Sequence, residues 1–261
     1  MTSLPTGFVS QTHSGDAPLE EWIERGGSAG FDFVEVYMDG ATARESLDPA
    51  AVARTAESSG VDLSVHLPFA DLDLGTPRDR VRDASVEELE ACLRAAAEMD
   101  AEKAVVHPSS HASWPEWDAD AVRPRIHDAV TRLDGFAADR GIELCAENLP
   151  VGYYTLGAFD SLLDATDVSM TFDTGHARAD GFDERDVAAF LDEHRNRVSH
   201  VHVNDGRADE DEHVPTGSGT TDFATALAPL AEGWEGTLSI EVFTFDFDYV
   251  EMSRRKLHAA I

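Results

Sequence analysis

The sequence predicts an α/β protein folded as a single (β/α)8 TIM barrel over residues 1–261. Three observations carry this prediction. Short apolar, β-branched runs alternate with helix-like stretches from end to end. There are eight such runs, the number a closed parallel barrel requires. Seven segments also carry a histidine, glutamate or aspartate at or just after the apolar run: VEVY, LSVHLP, AVVHPSS, ELCAENLP, MTFDTGHA, SHVHVND and LSIEVF. A barrel gathers its chemistry at the C-terminal ends of many strands, whereas a doubly wound open sheet concentrates it at one switch point.

The strands are expected at residues 7–11, 31–37, 62–66, 103–107, 143–147, 169–173, 199–203 and 237–243. Each run suits a strand buried on both faces. The clearest helix is expected at 85–99. There Ser85 and Glu88 form a capping-box pattern, and Val86, Leu89, Leu93 and Ala96 share one face. A second runs over 120–140, with Val122, Ile126, Val130 and Leu133 on one face and Gly141 placed to end it. Pro124 fits that helix only in its first turn. The last helix covers about 249–261. The longest polar loop, 204–221, carries the acidic run 209–212, expected to be solvated surface, and Gly217 and Gly219, expected to form a turn rather than a phosphate cradle. No linker or low-complexity stretch marks a domain boundary.

The composition, 42% hydrophobic and 27% charged, is that of a globular chain long enough to bury a sizeable core. No apolar run approaches the length of a membrane span, and the start, MTSLPTGFVSQTH, lacks the regions of a secretory signal. A cytoplasmic protein without a membrane partner is expected. Acidic residues outnumber basic ones 51 to 20, for a net charge of −31, and Lys103 and Lys256 are the only lysines. The acids are spread through every segment, which points to adaptation to a molar-salt, halophilic cytoplasm rather than to one acidic docking face. The same charge opposes tight binding to nucleic acid. Cys92 and Cys145 are expected to be buried free thiols.

The strand ends hold the candidate chemistry. Glu147 follows Leu144, Cys145 and Ala146, and Asp173 follows Met170, Thr171 and Phe172. A carboxylate buried beside such runs must be salt-bridged or on a metal. His200 and His202 point to one side of their strand, and His202, nearer its C-terminal end, is the preferred ligand. His200 is either a partner behind it or a satisfied core histidine. Glu241 lies between Ile240 and Val242. Three carboxylates and one imidazole suit manganese, magnesium or cobalt, and zinc if more histidines join. His66 and His107 are candidates to join the metal or bind substrate. Glu35, close to Tyr37 and Asp39, holds a neighbour or substrate.

The pieces His66-Leu67-Pro68-Phe69, Val106-His107-Pro108, Glu147-Asn148, Phe172-Asp173-Thr174-Gly175-His176, and His200-Val201-His202-Val203-Asn204-Asp205 followed by Gly217-Ser218-Gly219 resemble the xylose-isomerase-like (β/α)8 superfamily. The resemblance runs from about residue 31 to residue 245. The superfamily holds sugar isomerases and epimerases, inosose-processing enzymes and endonuclease IV DNA-repair enzymes. Similarity to the epimerase branch implies one divalent ion on Glu147, Asp173, His202 and Glu241, with Glu147 and Glu241 as the acid–base pair. They would move a proton beside a ketose carbonyl through an enediolate. It also implies that His176 and Arg207 hold substrate hydroxyls. Where ketohexose epimerases often carry a further acid, this chain has Gly152-Tyr153-Tyr154. Barrels of this superfamily often pair as homodimers.

Similarity to the endonuclease branch implies a different occupancy. Three zinc ions would be held by His66, His107, Glu147, Asp173, His176, His202, Asp211, His213 and Glu241, with abasic DNA as substrate. All nine residue types are present, but the net charge of −31 makes a poor track for a phosphate backbone. A polyol dehydratase of the inosose type is a further alternative. A degenerate barrel that only binds is another, opposed by the intact Glu147 and Glu241 pair. The expected substrate is an unphosphorylated sugar or polyol, because no phosphate-binding loop stands out.

Overall fold

The computed structural model describes residues 4–10, 17–207, 210–231, 233–244 and 246–261. Eight parallel strands close a barrel in chain order: β1 (Thr6–Val9), β2 (Phe33–Tyr37), β3 (Asp62–His66), β4 (Lys103–Val106), β5 (Glu143–Glu147), β6 (Ser169–Asp173), β7 (Val198–Val203) and β8 (Thr237–Ile240). The closing seam is paired like the rest, with Gly7 opposite Ser239. The surrounding helices are α1 (Leu19–Ala29), α2 (Pro49–Ser59), α3 (Asp79–Glu98), α4 (Ala119–Ala138), α5 (Asp160–Leu163), α6 (Thr174–Ala179), α7 (Glu184–His194), α8 (Phe223–Ala226) and α9 (Phe247–Ala260). The expected (β/α)8 barrel is therefore present. No described helix is long and apolar enough to cross a membrane.

Alternation along the strands divides the core in two. Val34, Val36, Leu63, Val65, Ala104, Val106, Leu144, Met170, Phe172, Val201 and Val203 are buried beneath the helices. The opposite face turns into the barrel and is unusually polar. It carries Glu35, Ser64, Thr171, His200 and Ser239, all buried, where barrels of this class mostly place branched aliphatic side chains. The strands are buried on both faces as expected, but are apolar mainly on the outer one. Near the barrel floor, Lys103 Nζ donates to Glu143 Oε2 at 2.7 Å, and Ser169 Oγ donates to Glu143 Oε1 at 2.6 Å. An aromatic cluster supports the β1–β8 seam, with the Phe8 ring 4.9 Å from Phe31 and 5.3 Å from Phe247.

Several boundaries differ from expectation. α3 begins at Asp79, so Ser85 is not an N-cap. It lies inside the helix, donating to the Val81 carbonyl at 3.0 Å and accepting from the Asp73 amide at 3.0 Å. Pro124 lies beyond the first turn of α4, because that helix already starts at Ala119. Gly141 ends the segment in the left-handed conformation, at φ 77°. β4 and β8 stop at Val106 and Ile240, which leaves His107 and Glu241 just past their strands. The expected end of the first strand, Gln11, lies outside the described residues, as does Asp209 of the acidic run. Cys92 and Cys145 are free and buried.

The loop after β7 folds on one carboxylate. Asp205 accepts from the amides of Gly217, Gly219 and Thr221 at 2.8, 2.9 and 3.1 Å. A Cβ on Gly219 would lie 2.3 Å from Asp205 Oδ1, so this position demands glycine. The glycines thus form a turn around a side-chain anion, and their amides are already committed to it.

Candidate metal and acid–base centre

The donor side chains meet at the C-terminal mouth. Ligand atoms of Glu147, Asp173, His202 and Glu241 lie within 4.8 Å of one another, and all four residues are buried. His202 Nδ1 is 3.1 Å from Glu241 Oε2, 3.4 Å from Glu147 Oε1 and 4.0 Å from Asp173 Oδ2. Three strand ends and the turn after β8 deliver these groups, so the barrel wall fixes their spacing.

Neighbouring amides brace the cluster. Asn148 Oδ1 accepts from the Asp173 amide at 2.8 Å, and Asn204 Nδ2 donates to Asp173 Oδ2 at 2.8 Å. Asp173 also caps α6 by accepting from the His176 amide at 2.6 Å. The glycine of the Asp-Thr-Gly-His stretch has a steric reason, since a Cβ on Gly175 would sit 2.0 Å from Asn204 Oδ1.

Two further groups adjoin the first. His66 Nε2 and His107 Nε2 lie 3.4 and 3.1 Å from Glu147 Oε2. His176 Nε2 and His213 Nε2 lie 3.3 and 2.8 Å from the two oxygens of Asp211. His213 adopts φ 45°, a left-handed conformation uncommon outside glycine. The structure therefore brings together all nine residues His66, His107, Glu147, Asp173, His176, His202, Asp211, His213 and Glu241.

Glu35 and Arg207 stand apart from the cavity. Glu35 is fully buried inside the barrel. Its Oε1 is 3.0 Å from His202 Nε2 and its Oε2 is 2.9 Å from His200 Nε2. It holds the imidazole of His202 rather than facing a substrate, because its mid-strand position points below the mouth. His200 is satisfied on both nitrogens, with Thr237 Oγ1 2.6 Å from Nδ1. Arg207 is turned outward onto Glu212, its Nε donating to Oε1 at 3.0 Å, with 66% of its side chain exposed. Glu35 thus holds a neighbour, one of its two expected roles, and Arg207 is paired with Glu212 rather than lining the cavity.

The electrostatics are those of a site short of positive charge. Burial would raise Glu147, but the imidazoles of His202 and His107 hold it well below the ordinary carboxylate range. Burial is likewise outweighed at Glu241, which His202 and His213 bring down to about 2. Asp173 is pushed up to about 6 by burial. His213, despite burial, is driven up to about 9, chiefly by Glu241 and Asp211. The imidazoles thus stand where the countercharge of a divalent ion would otherwise act. Glu147 Oε1 and His202 Nδ1 are buried without a hydrogen bond among the described residues. Two buried polar atoms without a hydrogen bond and facing each other, with three carboxylates and one imidazole converging, fit a divalent cation.

A cavity of about 480 Å3 opens above this cluster, and Glu147, Glu241, His66, His107, His176 and His213 all border it. Sequence reasoning missed its aromatic wall. The Phe69 ring stacks on His107 at 4.0 Å between centroids, and Phe243 stacks on His213 at 4.4 Å. It also assigned no role to Asn148 and Asn204, although both stand in the motifs that it used.

Comparisons with known proteins identify the family and support the fold. A family model described as the xylose isomerase-like TIM barrel matches residues 23–259. An uncharacterized protein of Methanocaldococcus jannaschii is 29% identical over 235 residues, covering 85% of this chain and 78% of that one. An inosose dehydratase of Geobacillus thermodenitrificans is 30% identical over 148 residues, spanning 48% of this chain and 47% of that enzyme. The solved structure of a D-tagatose 3-epimerase-like protein superimposes with a TM-score of 0.82 at 26% identity, covering 98% of both chains.

Proposed function

The chain belongs to the xylose isomerase-like TIM barrel family, and from that premise we propose a divalent-metal-dependent sugar isomerase or epimerase that moves a proton beside a ketose carbonyl. The observation that carries this reading is the convergence of Glu147 and Glu241 on His202 Nδ1, at 3.4 and 3.1 Å, at the edge of one cavity. The two glutamates come from β5 and from the turn after β8, so a substrate over the cluster can meet a carboxylate on either side. Both are held ionised near neutral pH. Each can therefore accept a proton from carbon, and the one that does so becomes an acid.

Glu147, Asp173, His202 and Glu241 would hold the ion, with manganese, cobalt or magnesium best suited to the donor set. Bound there, it would polarise the carbonyl and stabilise the charge developing on oxygen. One glutamate removes the proton next to the carbonyl, giving an enediolate. The other returns a proton to the opposite face for epimerisation, or to the adjacent carbon for isomerisation. His176 borders the cavity and is placed to hold a substrate hydroxyl. The relationship to an inosose dehydratase fits the same first step, with loss of water in place of proton return.

A second reading rests on a specific observation. The His66–His107–Glu147 and His176–Asp211–His213 groups give two additional donor sets beside the first. Filled with zinc, they would suit hydrolysis of abasic DNA. The charge of −31 opposes it. Metal content after purification in molar potassium chloride, without chelator, separates the two. About one equivalent of manganese, cobalt or magnesium, with turnover on ketoses, supports the isomerase reading. Two to three equivalents of zinc, with incision of an abasic duplex, would replace it.

A further inference from the structure

Most polar side chains that border the cavity are already engaged. Its carboxylates and imidazoles hold one another. The Tyr153 hydroxyl donates to the Ala112 carbonyl at 2.6 Å, and the Ser110 hydroxyl donates to Asp73 Oδ1 at 2.5 Å. Tyr37 differs. It borders the same cavity, and its amide donates to Ser10 Oγ at 3.1 Å. Its hydroxyl, however, has no hydrogen-bond partner among the described residues.

The strand decides where that hydroxyl stands. Tyr37 closes β2 two residues after Glu35, so its side chain turns to the same inward face, at the level of the mouth. It pairs in register with His66, and the two rings lie 5.5 Å apart between centroids. The Phe69 ring meets it edge-on at 6.3 Å. A barrel strand and two neighbouring rings thus position the phenol more rigidly than a loop would. Burial, then Asp39 and Glu241, push its pKa up to about 12. The hydroxyl is therefore near enough to Glu241 to feel its charge. It stays neutral at working pH, a donor and acceptor rather than an acid or base.

We propose that Tyr37 is a specificity-determining residue that hydrogen-bonds a substrate hydroxyl close to the carbon at which Glu241 acts. This rests on the preceding reading of the site as one for ketoses or related cyclic ketopolyols. A phenol and a sugar hydroxyl are matched, because each can both donate and accept. A substrate analogue lacking that hydroxyl would leave the phenol unpaired and bind more weakly.

The test is calorimetry on the manganese-loaded native protein and Tyr37→Phe, with D-fructose, D-tagatose, L-ribulose and scyllo-inosose, each beside its monodeoxy analogues. The variant removes one oxygen and keeps the ring against His66 and Phe69, so the manganese dissociation constant and melting temperature should not move. The tightest-binding of the four should lose about 3- to 10-fold in affinity. One of its monodeoxy analogues should be weakened as much on the native protein and should bind both proteins equally. Equal affinity of both proteins for every probe, or a loss that all deoxy analogues share, would overturn the proposal. So would a matching fall in manganese affinity, which would make the role of Tyr37 structural. Entry of solvent deuterium beside the carbonyl, measured on the native protein, reads the proton transfer separately. Exchange without the hydroxyl-specific difference sinks the Tyr37 contact alone. The difference without exchange keeps that contact and sinks the proton-transfer reading. Binding of none of the probes would sink both.

Discussion

Glu35 Oε1 lies 3.0 Å from His202 Nε2, so a fully buried carboxylate grips the far nitrogen of the imidazole whose Nδ1 faces the donor cluster. With an ion on Nδ1, the remaining ring proton sits on Nε2 and is donated to Glu35. That contact fixes both tautomer and ring orientation. His200 steadies Glu35 from the other side, Nε2 to Oε2 at 2.9 Å.

Glu35→Gln should therefore weaken divalent-ion binding by about 10–100-fold, read as a dissociation constant by titration calorimetry. A purely structural role would lower the melting temperature and leave that constant unchanged.

The floor of the barrel predicts an acid-side loss of stability. Burial would raise Glu143, but Lys103, Ser169 and Ser199 bring it below its ordinary value of 4.5. A carboxylate depressed in the folded state stabilises the protein above its unfolded pKa, and that contribution fades as pH falls through the folded one. The difference in urea midpoint between the native protein and Glu143→Gln should be present at neutral pH and shrink steadily below pH 4.5. A difference that does not vary with pH would refute the assignment. The effect is modest because 40% of the Glu143 side chain is exposed.

The net charge of −31 predicts strong salt dependence. Raising potassium chloride from about 0.1 to about 1 M shortens the screening length from about 10 to about 3 Å. The melting temperature should rise by roughly 5 °C or more. A flat or falling response would mean that self-repulsion is not what limits stability.

The barrel was legible because its apolar runs recur and end in polar donors. β3, β5 and β6 match expectation residue for residue, since His66, Glu147 and Asp173 each close an apolar run. The start of α3 was not legible. Residues 79–84 carry little apolar periodicity, and Ser85 with Glu88 imitates a cap in a segment that is already helical. The four converging donors followed from strand ends alone. Which neighbour Glu35 holds was not legible, because His200 and His202 stand on a strand far along the chain, and only closure of the barrel brings them together. The pairing of Arg207 with Glu212, five residues on, was not legible either. The stacking of Phe69 and Phe243 on His107 and His213 depends on loop paths that no spacing reveals.

The central claim is that Glu147 and Glu241 move a proton at carbon beside a carbonyl. The most direct test incubates the manganese-loaded protein with a panel of ketoses and inososes in deuterium oxide and follows the carbon-bound hydrogens by NMR. The account predicts deuterium at the carbon next to the carbonyl in recovered substrate or product, and its loss in Glu241→Gln with metal still bound. Incision of an abasic duplex with no deuterium entering any ketose or inosose would contradict it.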